Sequence, residues 1–222
     1  MLSLVITESA LELVPPELQK HNSVLASAQR LNKKPSEILL DISWHFAAMK
    51  GIENEIKRGR PDLVHFCLLE GCSIPLYFEK KLNVFVHTID DKVIFVGQNV
   101  RLPKSYHRFA GLIEKLYSTG KIEEKNKTLL EIKNMDFISL LYKIKPKRVV
   151  GLSTKGISSS YQQLAQEIDN NTCLIVGGFA KGHFSDTAKK HFDKIVSVDK
   201  NPLEAHVIIS RVLYEYEKRI IM

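Results

Sequence analysis

The chain has 222 residues, 44% of them hydrophobic and 26% charged, with a formal net charge of +7 at pH 7. That length and apolar content suit one folded domain with a sizeable core and exclude a disordered chain. No apolar run approaches the ~18 residues of a membrane helix, and no basic stretch precedes the apolar residues of "MLSLVITESALELV", so a cytoplasmic protein is expected and a membrane partner is not. The positive excess favours polyanions, of which nucleic acid is the commonest for a soluble protein.

In chain order, "LSLVIT" reads as a first strand, "SVLASAQRLN" as a short helix and "RPDLVHFCLLEG", from Arg60, as a second helix. Pro61 suits the first helical turn because its missing N–H would be unpaired there, and Asp62 is favoured by the positive end of the helix dipole. Arg58 and Arg60, ahead of that helix start, are opposed by the same dipole unless an anion sits there. Asp62 therefore has two compatible readings, a helix-start residue and a site residue that orients Arg60.

"LNVFVHT" and "KVIFVG", joined by "IDD", read as a β-hairpin. "SYHRFAGLIEKLYSTG" places Phe109, Leu112, Ile113 and Leu116 at helical spacing and ends at Gly120, a C′ residue. The preceding "RLPKSYHR" carries Arg101, Lys104, His107 and Arg108 with no carboxylate. A helix beginning near Pro103 would set Lys104, His107 and Arg108 on one face. Two readings stand: a solvated helix rim, or a line of cations relieved by RNA phosphates, with Tyr106 free to stack an unpaired base. Residues from about 57 to 104 read as an insertion within a single α/β domain, and "STGKIEEKNK" (118 to 127) is the most linker-like stretch.

The C-terminal part alternates short β-branched strands, "KRVVGLS", "TCLIVGG" and "KIVSVD", with the helix-like "SSYQQLAQEI" and "SDTAKKHF", the pattern of a parallel sheet covered on both faces. In "PLEAHVIISRVLYEYEKRII", Pro202 stands at a helix entry and Leu203, Val207, Ile209, Leu213 and Tyr216 form an apolar stripe, to be covered by the chain's own sheet or by a second copy. Cys67, Cys72 and Cys173 lack C-x-x-C spacing and read as buried thiols, without disulfide or metal.

The turn "VGGFAKGHFSD" holds Gly177, Gly178 and Gly182, three of only 11 glycines. A tight turn needs one or two, so the cluster favours close approach of a ligand to the backbone. With "VGLSTKG" and "SVDKNPL" it makes three loops after strands, where ligands collect in an open parallel sheet. The phosphate-loop and dinucleotide patterns are absent, which favours an adenine or amino-acid group over a phosphate.

Together, "HNSVLASAQRLNKKPSEILLDISWHFAAM", "GRPDLVHFCLL", "LNVFVHT", "VRLPKSYHRFAGLIEKL", "VGGFAKGHFS" and "VSVDKNPLEA" resemble the Nep/Emg ribosome-biogenesis RNA methyltransferases, over almost the whole chain and in the family's order. The resemblance implies a SPOUT-class α/β fold with a C-terminal trefoil knot and a homodimer. It implies S-adenosylmethionine as cofactor and methylation at N1 of a pseudouridine in small-subunit ribosomal RNA. By the same resemblance the cofactor residues are Leu152, Gly177, Gly182, His183, Phe184, Ser197, Val198, Asp199, Lys200, Asn201 and Pro202. The RNA contacts are Arg60, Arg101, Lys104, His107 and Arg108, and Asp62 is the candidate catalytic group. Eukaryotic members usually carry arginine at position 104, alanine at 178 and Ser-Asn-Tyr at 199 to 201, and the short N-terminus looks archaeal. An RNA-binding assembly factor without catalysis is the alternative reading.

Overall fold

All eight residues of the first strand, β1 (Leu2–Ser9), are buried, because neighbours cover both its edges and both its faces. The computed structural model of the chain describes residues 1–98 and 100–221. After β1 come α1 (Asn22–Leu31), α2 (Ile42–Met49), α3 (Pro61–Cys72), α4 (Pro75–Phe78), the hairpin β2 (Leu82–Thr88) and β3 (Lys92–Val96), and α5 (Tyr106–Thr119). Then follow β4 (Lys121–Glu124), β5 (Lys127–Asn134), α6 (Phe137–Ile144), β6 (Arg148–Ser158), α7 (Tyr161–Glu167), β7 (Thr172–Gly177), α8 (Asp186–Lys189), β8 (Lys194–Ser197) and α9 (Ala205–Ile220).

The strands make one mixed sheet in the order β4-β5-β3-β2-β1-β7-β6-β8. The half from β2 to β8 is parallel, and β3, β5 and β4 extend it antiparallel. Alternation along β1 and β7 feeds two cores: Leu2, Leu4, Ile6, Leu174 and Val176 meet α3, α5, α7 and α9, while Val5, Cys173 and Ile175 meet α6 and α8. A third, smaller cluster joins α1 and α2 through Val24, Ala28, Ala48 and Met49. The last helix buries Ile209, Val212, Leu213 and Tyr216 against the larger core, so its apolar stripe is largely covered by its own chain. The three cysteines are free and buried, and burial pushes the Cys72 and Cys173 thiols up to about 12. Among the described residues no helix is long and apolar enough to cross a membrane.

Four sequence expectations are corrected. Residues 118 to 127 are not a linker: they end α5 and form β4 and the turn to β5. Lys125 and Asn126 both take positive φ, as a two-residue hairpin turn requires, and the inward pair Ile122↔Leu130 is masked in the sequence by surrounding lysines and glutamates. The fifth helix begins at Tyr106 with Ser105 as its extended N-cap, so Lys104 lies ahead of the helix and does not share its face. The last helix begins at Ala205 with Glu204 as N-cap, which leaves Pro202 in the loop. Strand β6 runs five residues beyond Ser153, to Ser158.

His45, His65 and His87 are 2%, 2% and 4% exposed, and burial lowers the pKa of each. The unfolded chain, titrating near 6.5, therefore binds more protons than the native one just below that value. Stability is fully present above about pH 7 and is lost as pH falls through 6.5. We expect a melting temperature flat above pH 7 that drops by several degrees toward pH 5, followed by circular dichroism; a flat profile over that interval would contradict three neutral buried histidines.

Candidate functional site

The middle of β6, at Leu152, Ser153 and Thr154, and the loops that follow β7 and β8 enclose a cleft of ≈ 640 Å³; the first of the three expected loops is therefore strand. Of the residues expected there, Leu152, Gly177, Gly182, His183, Phe184, Lys200 and Pro202 line it. Ser197, Val198, Asp199 and Asn201 are not on its wall; they shape the third loop. The Ser197 hydroxyl donates to the Asp199 carbonyl at 2.9 Å, the Asp199 carboxylate accepts the Asn201 backbone N–H at 2.8 Å, and Val198 packs on the core.

The glycines divide by role. Gly182 takes φ +100°, which L side chains rarely adopt, and a Cβ on Gly177 would stand 2.7 Å from the Phe179 ring. Gly178 serves packing: its Cβ would fall 2.2 Å from Ser9 Oγ. Leu152, Val176 and Phe184 are buried and give the cleft a dry floor, while Leu203 and Ile208 line its far side. A partly apolar cleft that is rich in loop backbone and carries Lys181 and Lys200 on its wall fits a nucleoside joined to an amino-acid group.

The second loop is fastened from below. Glu8, near the end of β1, has φ 49°, and its carboxylate accepts the Ser185 N–H at 2.8 Å and the Lys57 ammonium at 2.5 Å. Lys57 in turn lies 4.7 Å from the Phe179 ring centroid, and Ser185 Oγ caps α8 by accepting the Ala188 N–H. One carboxylate thus ties the strand, the segment before α3 and the glycine loop together.

The two arginines ahead of α3 have different anions. Arg58 makes a bidentate pair with buried Glu12 at 2.7 and 2.6 Å and is structural; burial raises the Glu12 pKa and Arg58 opposes that rise. Arg60 pairs with Asp62, Nε and Nη2 donating at 2.8 and 2.9 Å, and both side chains stay about one-third exposed. Leu63, one residue on, lines the cleft, and Glu204 of its wall is near enough to bear on the Arg60 charge, so the pair lies beside the cleft.

Arg101, Lys104, His107 and Arg108 are all exposed. His65 holds this strip to α3: its Nε2 donates to the Pro103 carbonyl at 2.7 Å, and its ring stacks on Phe109 with centroids 4.2 Å apart. Burial of His65 lowers its pKa, consistent with a neutral ring whose Nε2 carries the hydrogen. Tyr106 is half-buried and donates its hydroxyl to Asp41; burial and that carboxylate keep the phenol protonated. Sequence reasoning missed Glu8, His65 and the wall residues Leu63, Leu203, Glu204 and Ile208. Only position in a predicted helix or loop hinted at these residues, and nothing marked Glu8.

A model of the EMG1/NEP1 methyltransferase family matches residues 4–217. The chain is 38% identical over 219 residues to the ribosomal RNA small subunit methyltransferase Nep1 of Thermococcus sibiricus, covering 98% of each chain. It is 39% identical over 212 residues to the protein of that name from Saccharolobus solfataricus, covering 95% of this chain and 94% of that one. The crystal structure of Archaeoglobus fulgidus Nep1 bound to S-adenosylhomocysteine aligns with a TM-score of 0.88 at 36% identity, over 97% of both chains.

The Glu8 fastening makes a prediction independent of any ligand. Glu8→Ala should release the Ser185 amide, so hydrogen exchange across residues 182 to 186 rises at least tenfold while β1 and β7 keep their protection. Unchanged exchange there would mean that the loop is held by its apolar contacts alone.

Proposed function

The chain belongs to the EMG1/NEP1 methyltransferase family and is a small-subunit ribosomal RNA methyltransferase that uses S-adenosylmethionine; within that activity we propose that the atom methylated is N1 of a pseudouridine. The observation that carries this reading is that the Arg60–Asp62 pair is near both the cleft and the basic strip: Glu204 of the cleft wall bears on the Arg60 charge, and Asp62 bears on the Tyr106 hydroxyl between Lys104 and His107.

The cofactor, when bound, supplies an electrophilic methyl group on a sulfonium centre. Leu152, Gly177, Gly182, Pro202 and Leu203 would hold it, with the two glycines leaving room beside the loop backbone. Leu152, Val176 and Phe184 exclude water from the floor. Pseudouridine joins its sugar through carbon and keeps a hydrogen on N1, which uridine does not have. The chain's task is to align that nitrogen, and alignment alone is worth on the order of 7–11 kcal/mol for ideally placed reactants. Each Asp62 oxygen accepts one bond from Arg60 and retains a lone pair, with which Asp62 takes the N1 proton or holds the base edge.

We read the knot of the SPOUT class in the C-terminal segment. Support comes from β6 pairing with Val196 of β8 twice, through Leu152 and again through Ile157, and from Gly156, where a Cβ would lie 2.6 Å from the Ile195–Val196 backbone. The chain acts as a homodimer in this reading: Phe66 is 48% exposed beside His206, whose buried Nδ1 has no partner among the described residues. Residues 57 to 104 form the RNA-binding part of the single domain, and the site of action is cytoplasmic. The intact cleft favours an enzyme over an assembly factor without catalysis.

The decisive assay gives the protein labelled S-adenosylmethionine and matched RNAs carrying uridine or pseudouridine, then identifies the modified base by mass spectrometry. Methyl transfer is expected only with pseudouridine; equal transfer to uridine would move the acceptor atom. Asp62→Asn should lower the single-turnover rate on bound RNA about 10²-fold, and an unchanged rate would leave Asp62 without a chemical role. Arg101→Glu or Arg108→Glu should weaken RNA binding and flatten its salt dependence while cofactor affinity is kept; unchanged RNA affinity in both would place the binding surface elsewhere.

A further inference from the structure

Beside the basic strip, and sharing no wall residue with the cofactor cleft, α1, α2 and α5 enclose a second cavity of ≈ 390 Å³ whose walls include Arg30, Asp41, Trp44, His45, Tyr106 and His107. We propose that this cavity is an RNA subsite that takes an unpaired nucleobase by stacking it on Trp44 and Arg30 and hydrogen-bonding an acceptor on its edge to His45. The inference rests on RNA being the substrate, and it concerns a base other than the one methylated.

Three observations carry it. First, Trp44 is 47% exposed at the edge of the buried side of α2, whose His45, Ala48 and Met49 are covered. The Arg30 guanidinium lies over the indole with Cζ 3.6 Å from the ring centroid. A planar cation on an exposed aromatic ring is a platform on which any base can stack.

Second, His45 is an unpaired donor in a wall that is otherwise satisfied. It is 2% exposed, and its Nδ1 accepts the Asp41 backbone N–H at 3.0 Å. A ring that accepts at Nδ1 carries its hydrogen on Nε2, and that Nε2 is buried without a partner among the described residues. Native proteins rarely leave such a donor unused. The carboxylates on the same wall are already engaged: Asp41 by the Ser43 amide and the Tyr106 hydroxyl, Glu114 by the Leu39 amide and Lys33. The free functions are donors, those of Arg30 and His45, so the ligand must offer acceptors. The O6 and N7 atoms of guanine or the carbonyls of a pyrimidine meet that need.

Third, the cavity lies along the RNA path. His107 belongs both to its wall and to the basic strip, and Asp41 is near enough to Arg60 to bear on that group's charge, as is Glu204 on the cleft wall. A strand that leaves the cleft past Arg60 therefore comes near the wall that Asp41 shares with Trp44, and single-stranded or loop RNA is recognised by such splayed, stacked bases.

Trp44 is the only tryptophan, so fluorescence excited at wavelengths beyond tyrosine absorption reports this cavity alone. The full chain is titrated with a stem-loop RNA containing pseudouridine in its loop, with anisotropy of the labelled RNA read in parallel. Emission from Trp44 should be quenched and shielded from acrylamide as anisotropy saturates, and a fully paired duplex should give neither change. Trp44→Ala should weaken loop binding about tenfold without altering the salt slope, since no charge is removed, and Trp44→Phe should restore most of the loss. RNA saturation with silent Trp44 emission and unaltered affinity of Trp44→Ala would overturn the proposal and assign the exposed Trp44 ring to a protein partner. Absence of any anisotropy change would instead remove the RNA reading on which the proposal stands.

Discussion

A carboxylate cannot stay charged inside a protein without partners, and Glu8 shows how meeting that constraint organises this molecule. Its side chain is 11% exposed at the end of the central strand, where the backbone turns through positive φ. It is satisfied only because the glycine loop brings up the Ser185 amide and the segment before α3 brings up Lys57. The cleft wall and the approach to Arg60 are thereby fixed against the same rigid strand. Glu12 repeats the arrangement one turn of chain later with Arg58, and Glu217 of α9 does so by accepting the Leu76 amide.

Two kinds of surface meet at α3. The parallel half of the sheet supplies a cleft walled by glycines and apolar residues, with Lys181, His183 and Lys200 beside them. The segment from α3 to α5 supplies an exposed strip of Arg101, Lys104, His107 and Arg108 that contains no carboxylate. Arg60 and Asp62 belong to both, and His65 fixes their separation by joining α3 to Pro103. In the proposed mechanism the alignment of the base therefore depends on a hydrogen bond that touches neither substrate nor cofactor.

How much of this was legible in the sequence follows the length scale of each cause. Local periodicity located β1, α3, α5 and the β2–β3 hairpin, and three glycines marked a loop that does line the cleft. Assignments failed where a local rule was outweighed. Charged residues concealed β4, Pro202 looked like a helix entry although Glu204 caps the helix, and Lys104 was put in a helix that Ser105 begins after it. Arg58 and Arg60 looked equivalent, yet the partner that separates them, Glu12, lies 46 residues away. Partners of that separation, like Ser185 for Glu8, leave no trace in spacing. The family resemblance, carried by the order of motifs, supplied what periodicity could not.

The position of β1 also bears on how the chain is made. One edge of β1 is covered by β2, with Leu2↔Leu82, but the other waits for β7, with Ser3↔Cys173. During synthesis the strand that ends up buried along its whole length therefore carries an open edge until most of the chain has emerged. An open apolar edge recruits other strands, so nascent or truncated chains are predisposed to aggregate. Ribosome stalling before β7 is then more hazardous to this protein than stalling after it, and expression in fragments should fail for kinetic reasons even where each fragment contains a complete hairpin.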